Sequence, residues 1–380
     1  MQVLVAPDKF KGSLTAAQVA HAMRAGVLAA APAATVTTRP IADGGDGFLD
    51  AIIAATAARV IEVEIQDAIG RTRIARIAIH GETGYLEAAD AVGITQTDPT
   101  PETALNTDTG GVGQMILASL DAGATSITIG LGGTSSTDGG TGMLRALGAE
   151  LLTEDGRHLQ PGGGNLTDLH QINLDLDPRV FGCRFVAAHD VTSPLLGPSG
   201  AAAVFGPQKG ADERAVHKLG AGLTHLADVL LRQHGLDIAA VPGGGAAGGL
   251  GGALGGVLRA DMRSGAAVVF ALTGLDEELR KSDLVLTGEG SFDEQSLDGK
   301  GPYAVLQTAQ SAGVPAVVIA GRATLRSPHP RIPGDTVIEA LADNFADPFV
   351  DTTGKIEELA ARATGRAING DEFAARKQRS

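Results

Sequence analysis

Gln2-Val-Leu-Val-Ala-Pro-Asp-Lys-Phe-Lys-Gly-Ser-Leu-Thr-Ala-Ala-Gln18 opens the chain and decides its fold. The apolar run Gln2 to Ala6 stops at Pro7, and the segment from Ser13 takes up helical spacing through about Leu28, so the stretch predicts a strand, a loop and a helix. Further apolar runs at Thr35 to Thr38, Asp283 to Thr287, Ala316 to Ala320 and Thr336 to Glu339 are separated by helical patterns. Such alternation predicts a parallel sheet with helices on both faces, and ligands in these sheets sit beyond the carboxyl ends of the strands.

The middle of the chain reads differently. Val60 to Ile65, Ile74 to Ile79 and Tyr85 to Ala88 are closely spaced alternating runs, followed by expected strands at Ser126 to Ile129, Phe185 to Ala188 and Ala267 to Ala271. The expected class is α/β, a flavodoxin- or Rossmann-like parallel-sheet domain (1–60 plus 280–380) interrupted by an inserted mixed α/β domain (61–279). The active site is expected in the cleft between the two. A length of 380 residues suits two hydrophobic cores.

Composition removes several function classes. A net charge of −14 disfavours nucleic acid and anionic membranes, so any phosphate must be held locally. Cys183 is the only cysteine, which leaves no intramolecular disulfide and suits a reducing compartment. Charged Asp8 and Lys9 fall where an export signal needs apolar residues, so a cytoplasmic protein is expected. The uncharged stretch Val241 to Leu258 is too rich in glycine for a membrane helix and reads as a closely packed loop and helix.

The strongest local feature is Gly130-Leu-Gly-Gly-Thr-Ser-Ser-Thr-Asp-Gly-Gly-Thr-Gly142, after an expected strand and before the helical Met143 to Ala149. Small residues let backbone N–H groups approach phosphate oxygens, and the hydroxyls of Thr134, Ser135, Ser136 and Thr137 can add bonds. A tight turn that needs glycine only for its dihedrals would look similar. Neither a Walker A loop nor a G-x-G-x-x-G fingerprint is present.

Carboxylates recur at strand ends: Asp8 with Lys9 and Lys11, Asp43 and Asp46, Asp190 in His189-Asp-Val-Thr, and Glu289 with Asp293. Each alone suits a turn or a helix cap. Together they supply what phosphoryl transfer needs: cations for the migrating group, carboxylates for magnesium, and a base for the attacking hydroxyl. Lys209, in Phe205-Gly-Pro-Gln-Lys-Gly, either reaches a nucleotide or caps a helix, and His189 reads as a structural hydrogen-bonder.

Seven blocks, in order, resemble the type I glycerate kinases over nearly the whole chain. They are Pro7-Asp-Lys-Phe-Lys-Gly-Ser-Leu, Ala42-Asp-Gly-Gly-Asp-Gly, Gly132-Gly-Thr-Ser-Ser-Thr-Asp-Gly-Gly, Asp190-Val-Thr-Ser-Pro-Leu-Leu-Gly, Phe205-Gly-Pro-Gln-Lys-Gly, Pro242-Gly-Gly-Gly-Ala-Ala-Gly-Gly-Leu-Gly and Thr287-Gly-Glu-Gly-Ser-Phe-Asp. The resemblance implies ATP and Mg2+ as cofactors, D-glycerate as acceptor, 2-phosphoglycerate as product in preference to 3-phosphoglycerate, and a monomer or homodimer. It implies Asp190 as base, and Lys11 and Ser13 on the substrate carboxylate or the transferring phosphate. Asp8, Lys9, Asp43, Asp46, Glu289 and Asp293 are expected at the substrate, Gly132, Gly133 and Thr134 to Thr137 at the nucleotide, and Asp190 and Asp293 at the metal. A kinase of another small hydroxy-acid, or a non-catalytic metabolite-binding protein, remains open on the same scaffold.

The chain departs from the family pattern in four places. Lys9 stands where the family often has Ser, Asp46 where Glu is usual, Asn106-Thr-Asp-Thr-Gly-Gly-Val-Gly lacks an aromatic, and Ser291 replaces a frequent Arg. Lys9 or Lys300 is the expected substitute for that lost cation.

Overall fold

Strands that are covered on both faces need apolar residues on both, and the first strand, Gln2–Val5, supplies them from Val3 to Val5. Val3 and Val5 pack on one face with Val19, Met23 and Leu359, while Leu4 packs on the other with Phe270, Val305 and Leu306. In the computed structural model, which describes residues 1–42, 44–45, 47–297, 301–334, 336–348 and 350–369, the chain forms two units. One comprises Met1–Asp43 with Ala266–Ser380, the other Gly44–Gly265. Asp43, Asp46 and Lys300 lie outside the described residues.

The sheet of the first unit is parallel throughout, with spatial order Thr336–Ala340, Ala316–Ala323, Leu284–Phe292, Gln2–Val5, Thr35–Thr38. Numbered within the unit this is the flavodoxin order 2-1-3-4-5, whose direction reverses between the first and third strands. The helix after the first strand spans Ala16–Ala30. Thr15 caps it, accepting from Gln18 N while Gln18 Oε1 accepts from Thr15 N, so Ser13 lies in the preceding turn. Gly26 lets the terminal helix Thr352–Asn369 approach, since a Cβ there would stand 2.1 Å from Glu357 O.

The second unit carries a mixed six-stranded sheet: Asp261–Arg263, Arg184–Ala188, Ser126–Gly130, Thr83–Glu87, Thr72–His80, Arg59–Gln66. The first four run parallel, and antiparallel pairing joins the last two to them. A small ladder of Glu150–Leu152 with Gln171–Asn173 stands apart. The α/β class read from the sequence is the observed one, with a parallel sheet in the first unit and a mixed sheet in the second.

One expected strand is a helix. Ala267 to Ala271 falls inside the helix Gly265–Thr273, where Gly265, Ala266, Val269, Phe270 and Thr273 are the buried residues. That spacing of three and four is helical, and a short apolar run shows no alternation from which sequence alone could separate the two. The glycine-rich Val241 to Leu258 forms a 3-10 turn, Ala246–Gly249, and a short helix, Leu250–Gly256. Among the described residues no helix is long and apolar enough to cross a membrane.

Candidate active site

The reversal point of a flavodoxin-type sheet opens a crevice at the carboxyl ends of its first and third strands. Here those ends carry six of the expected residues. Ala6 N bonds to Leu286 O, and Asp8 N to Gly288 O, both at 2.8 Å, which keeps the two chains paired beyond the regular first strand. Asp8 Oδ1 accepts from Lys9 N. Phe10 to Leu14 then forms a tight turn closed by Phe10 N to Leu14 O, 2.9 Å, with buried Phe10 as its anchor and Gly12 at φ +78°. Lys11 and Ser13 are left exposed at its tip.

Across from them, Gly288 and Gly290 remove side chains where the backbones crowd. A Cβ on Gly288 would lie 1.9 Å from Ile319 O, and one on Gly290 would lie 3.2 Å from Lys11 N. Half-buried Glu289 stands between these glycines. Asp293 Oδ1 accepts from Gln295 N at 3.0 Å and Oδ2 from Ser291 Oγ at 3.1 Å, so this carboxylate also shapes its own turn.

Sequence reasoning missed Arg322. The parallel register pairs it with Ser291, it is exposed, and its side chain makes no hydrogen bond or ion pair among the described residues. A cation thus stands beside the position where Ser291 leaves one out, on a strand that the sequence pattern does not mark as its neighbour.

In the second unit the Gly/Ser/Thr loop and Asp190 leave adjacent parallel strands at one level. Gly130 pairs with Ala188, Leu131 N bonds to Ala188 O, and Gly132 and Asp190 each follow two residues beyond the paired ends. Asp190 Oδ1 accepts from Gly265 N at 3.1 Å. His189 Nδ1 lies 3.0 Å from Val191 O, and burial holds its pKa below the usual histidine value, which suits a structural role. A Cβ on Gly243 would sit 2.3 Å from His189 Cε1, one reason for the glycine content of that segment.

The loop turns most of its hydroxyls inward. Gly132 and Gly133 reach the surface, whereas Thr134, Ser135, Ser136 and Thr137 are buried. Ser135 N and Oγ both bond to Val92 O, Thr107 Oγ1 donates to Ser135 O, and Gly132 N donates to Gly44 O. The amides at the following helix start are also engaged: Gly140 N and Gly142 N donate to Asp138, which accepts from Thr109 N and Oγ1 as well. The loop therefore holds a carboxylate of its own where its sequence suggests an open anion cradle.

Asp138 belongs to a buried charge group absent from the sequence reading. Lys209 Nζ donates to Ser136 O, and the nearby Asp138 charge partly offsets the burial that pushes this ammonium down to about 8. Asp108 is pushed up to about 6 by burial first and by the Asp138 charge second, against the pull of Arg145 Nη2 at 2.7 Å. Gly142 must be glycine here, because a Cβ would lie 2.3 Å from Asp108 Oδ1.

Comparison with known proteins agrees with this architecture. The model of the glycerate kinase family matches residues 3–362. The chain is 40% identical over 327 residues to glycerate 2-kinase of Escherichia coli K12, covering 85% of this chain and 86% of that one. It is 39% identical over 324 residues to glycerate kinase of Bacillus subtilis 168, covering 84% and 85%. A crystal structure from Salmonella typhimurium LT2, provisionally named glycerate kinase 2, superposes with a TM-score of 0.82 at 34% identity, over 98% of this chain and 100% of that one. The chain belongs to the glycerate kinase family, and it is a kinase.

Proposed function

We propose that this protein transfers the γ-phosphoryl group of ATP to D-glycerate, at the 2-hydroxyl. The observation that carries the reading is the common level of Gly132 and Asp190 on neighbouring parallel strands, which sets the exposed backbone of Gly133, next in the chain, near a carboxylate oriented by Gly265 N. In the reaction the hydroxyl oxygen of glycerate forms a bond to the γ-phosphorus, the bond from that phosphorus to the β–γ bridging oxygen breaks, and ADP leaves. Asp190 accepts the hydroxyl proton.

Lys11, with the Ser13 hydroxyl beside it, meets the carboxylate of glycerate or the transferring phosphate. Asp8, Lys9 and Glu289 line the same strand ends and bind the acceptor, with Asp43 and Asp46 assigned there from the sequence. Arg322 supplies a positive charge beside Ser291. Gly133 approaches the phosphates through its exposed backbone, with Gly132 held beside it by its bond to Gly44 O, while Ser135 fixes the loop from beneath through Val92 O and Thr134, Ser136 and Thr137 pack there. Magnesium takes hard oxygen donors, and the strand-end carboxylates of Asp190 and Asp293 are of that kind. Once bound, the ion would neutralise phosphate charge.

A coupled assay of ADP formation across a panel of hydroxy-acids tests this. D-glycerate should give the highest kcat/KM, and no glycerate-dependent ADP formation would refute the reading. Turnover of a different hydroxy-acid alone would keep the kinase and change its acceptor.

A further inference from the structure

Lys209 ends the turn Pro207–Lys209 and is only 4% exposed, so its ammonium is not placed to meet a ligand arriving from solvent. The turn has no slack. Gly210 takes φ +97°, and a Cβ there would lie 2.2 Å from Pro99 C. From this fixed position Nζ donates to Ser136 O, and the charge of Asp138 acts on it. Asp108, ahead of the helix Gly110–Asp121, and Arg145, on the helix Thr141–Ala146, complete the charges of the group.

Within a loop otherwise bonded through Gly132 and Ser135, the segment Ser136–Thr137 is where such a hold matters. Ser136 Oγ and Thr137 Oγ1 are buried and make no hydrogen bond among the described residues, so these two side chains do not anchor their own segment. Gly248 presses on it instead, close enough that a Cβ would lie 2.0 Å from Ser136 O, and this contact carries no polar bond to Ser136. Burying an ammonium and a carboxylate costs several kcal/mol before their pairing offsets it, so a chain selected for stability alone would gain from apolar residues in place of both Lys209 and Asp138.

We infer that Lys209 is a positioning residue for the nucleotide: bonded to the Ser136 carbonyl and set against Asp138, it holds the Gly132–Thr137 loop in the form that presents Gly132 and Gly133. This rests on the proposal that the loop binds ATP. Lys209 does not touch the nucleotide. Because burial pushes the ammonium down to about 8, the hold weakens as pH rises through that value.

The test uses the full chain as wild type, Lys209→Met and Lys209→Arg. The Kd for ATP with Mg2+ is measured by calorimetry at pH 7 and pH 9, the KM for D-glycerate by turnover, Tm by scanning calorimetry, and amide exchange at Gly139 and Gly142 by mass spectrometry. Loss of a charge-assisted bond should raise the Kd of Lys209→Met roughly tenfold or more. The KM for D-glycerate should stay within about twofold while Tm falls, since buried Asp138 and Ser136 O both lose their partner, and Lys209→Arg should keep most of the affinity. Exchange at Gly139 and Gly142 should quicken in Lys209→Met, and the wild-type Kd should rise from pH 7 to pH 9 while that of the Met variant stays flat. Wild-type ATP affinity in Lys209→Met, or equal loss of both substrates, overturns the inference. If the wild type binds no ATP, the functional reading falls, and the exchange arm still decides on the tether: unchanged protection in Lys209→Met refutes it. Should Lys209→Met fail to fold, a wild-type Kd that does not change between pH 7 and pH 9 refutes it.

Discussion

The two sheet edges that gather the candidate residues are built in opposite ways. In the first unit the strand ends carry exposed Lys11, Ser13 and Arg322 around half-buried Asp8, Lys9 and Glu289, over backbones that glycine lets come close. In the second, the loop after Gly130 folds inward, with Asp138 and Lys209 beneath it and only Gly132 and Gly133 reaching the surface. An open edge offers its side chains as ligand contacts. A closed loop offers backbone and spends its side chains on its own shape. Substitutions at the first should change binding at little cost in stability, and substitutions inside the second should change stability and loop form together.

Asp190 is the exception that the comparison allows, a half-buried carboxylate at the rim of the closed edge, and its loss should have the largest effect. Asp190→Asn should lower kcat by roughly a thousandfold, while the Kd for ATP measured by calorimetry moves less than about twofold. Turnover within about tenfold of wild type would remove Asp190 from the mechanism.

Next comes the inside of the closed loop. Asp138→Ala strips the acceptor from Thr109 N, Thr109 Oγ1, Gly140 N and Gly142 N and leaves the Lys209 ammonium without its counter-charge. Urea unfolding should show a loss of about 3–5 kcal/mol. A loss under about 1 kcal/mol would mean that the group is not the anchor described here.

The open edge should behave in reverse. Lys11→Met and Arg322→Gln remove exposed cations, so unfolding free energies should move by less than about 0.5 kcal/mol. The KM for D-glycerate should rise roughly tenfold for Lys11→Met and severalfold for Arg322→Gln, as for loss of charge-assisted bonds at exposed sites. If Arg322→Gln leaves KM unchanged, the cation missing at Ser291 is replaced elsewhere or not at all.

The smallest effect is a pH dependence of stability with two arms. Asp108 has a folded pKa raised to about 6, so its contribution is present at acid pH and is lost as pH rises through 6. Lys209 has a folded pKa lowered to about 8, so its contribution is present well above that value and is lost as pH falls through 8. Asp108→Asn should flatten the acid arm of a Tm profile and Lys209→Met the alkaline arm. An Asp108→Asn profile with the wild-type slope between pH 4 and 6 would contradict the assignment.

The first unit was largely legible because its strands begin as short apolar runs, the first closed by Pro7, and such runs announce a doubly covered sheet. The strand-end carboxylates followed from topology alone. Ala267 to Ala271 failed because an apolar run of that length suits a buried helix equally well. The inside of the glycine loop failed for a different reason. Lys209 and Ser136 are 73 residues apart, and nothing in either segment marks the bond between them. Asp138 was in plain view within the loop sequence, but a carboxylate that satisfies its own loop and one that repels an incoming phosphate read alike. Arg322 was hidden by the same limit, since its place beside Ser291 exists only in the register of two strands.

Phosphorus NMR of a single reaction containing the protein, ATP, Mg2+ and D-glycerate tests the central claim most directly. The account requires ADP to appear together with one new phosphomonoester resonance, whose phosphorus couples to the single proton on carbon 2, as in 2-phosphoglycerate. A resonance coupled to the carbon 3 methylene would contradict the assigned hydroxyl, and ATP persisting unchanged beside D-glycerate would contradict the function itself.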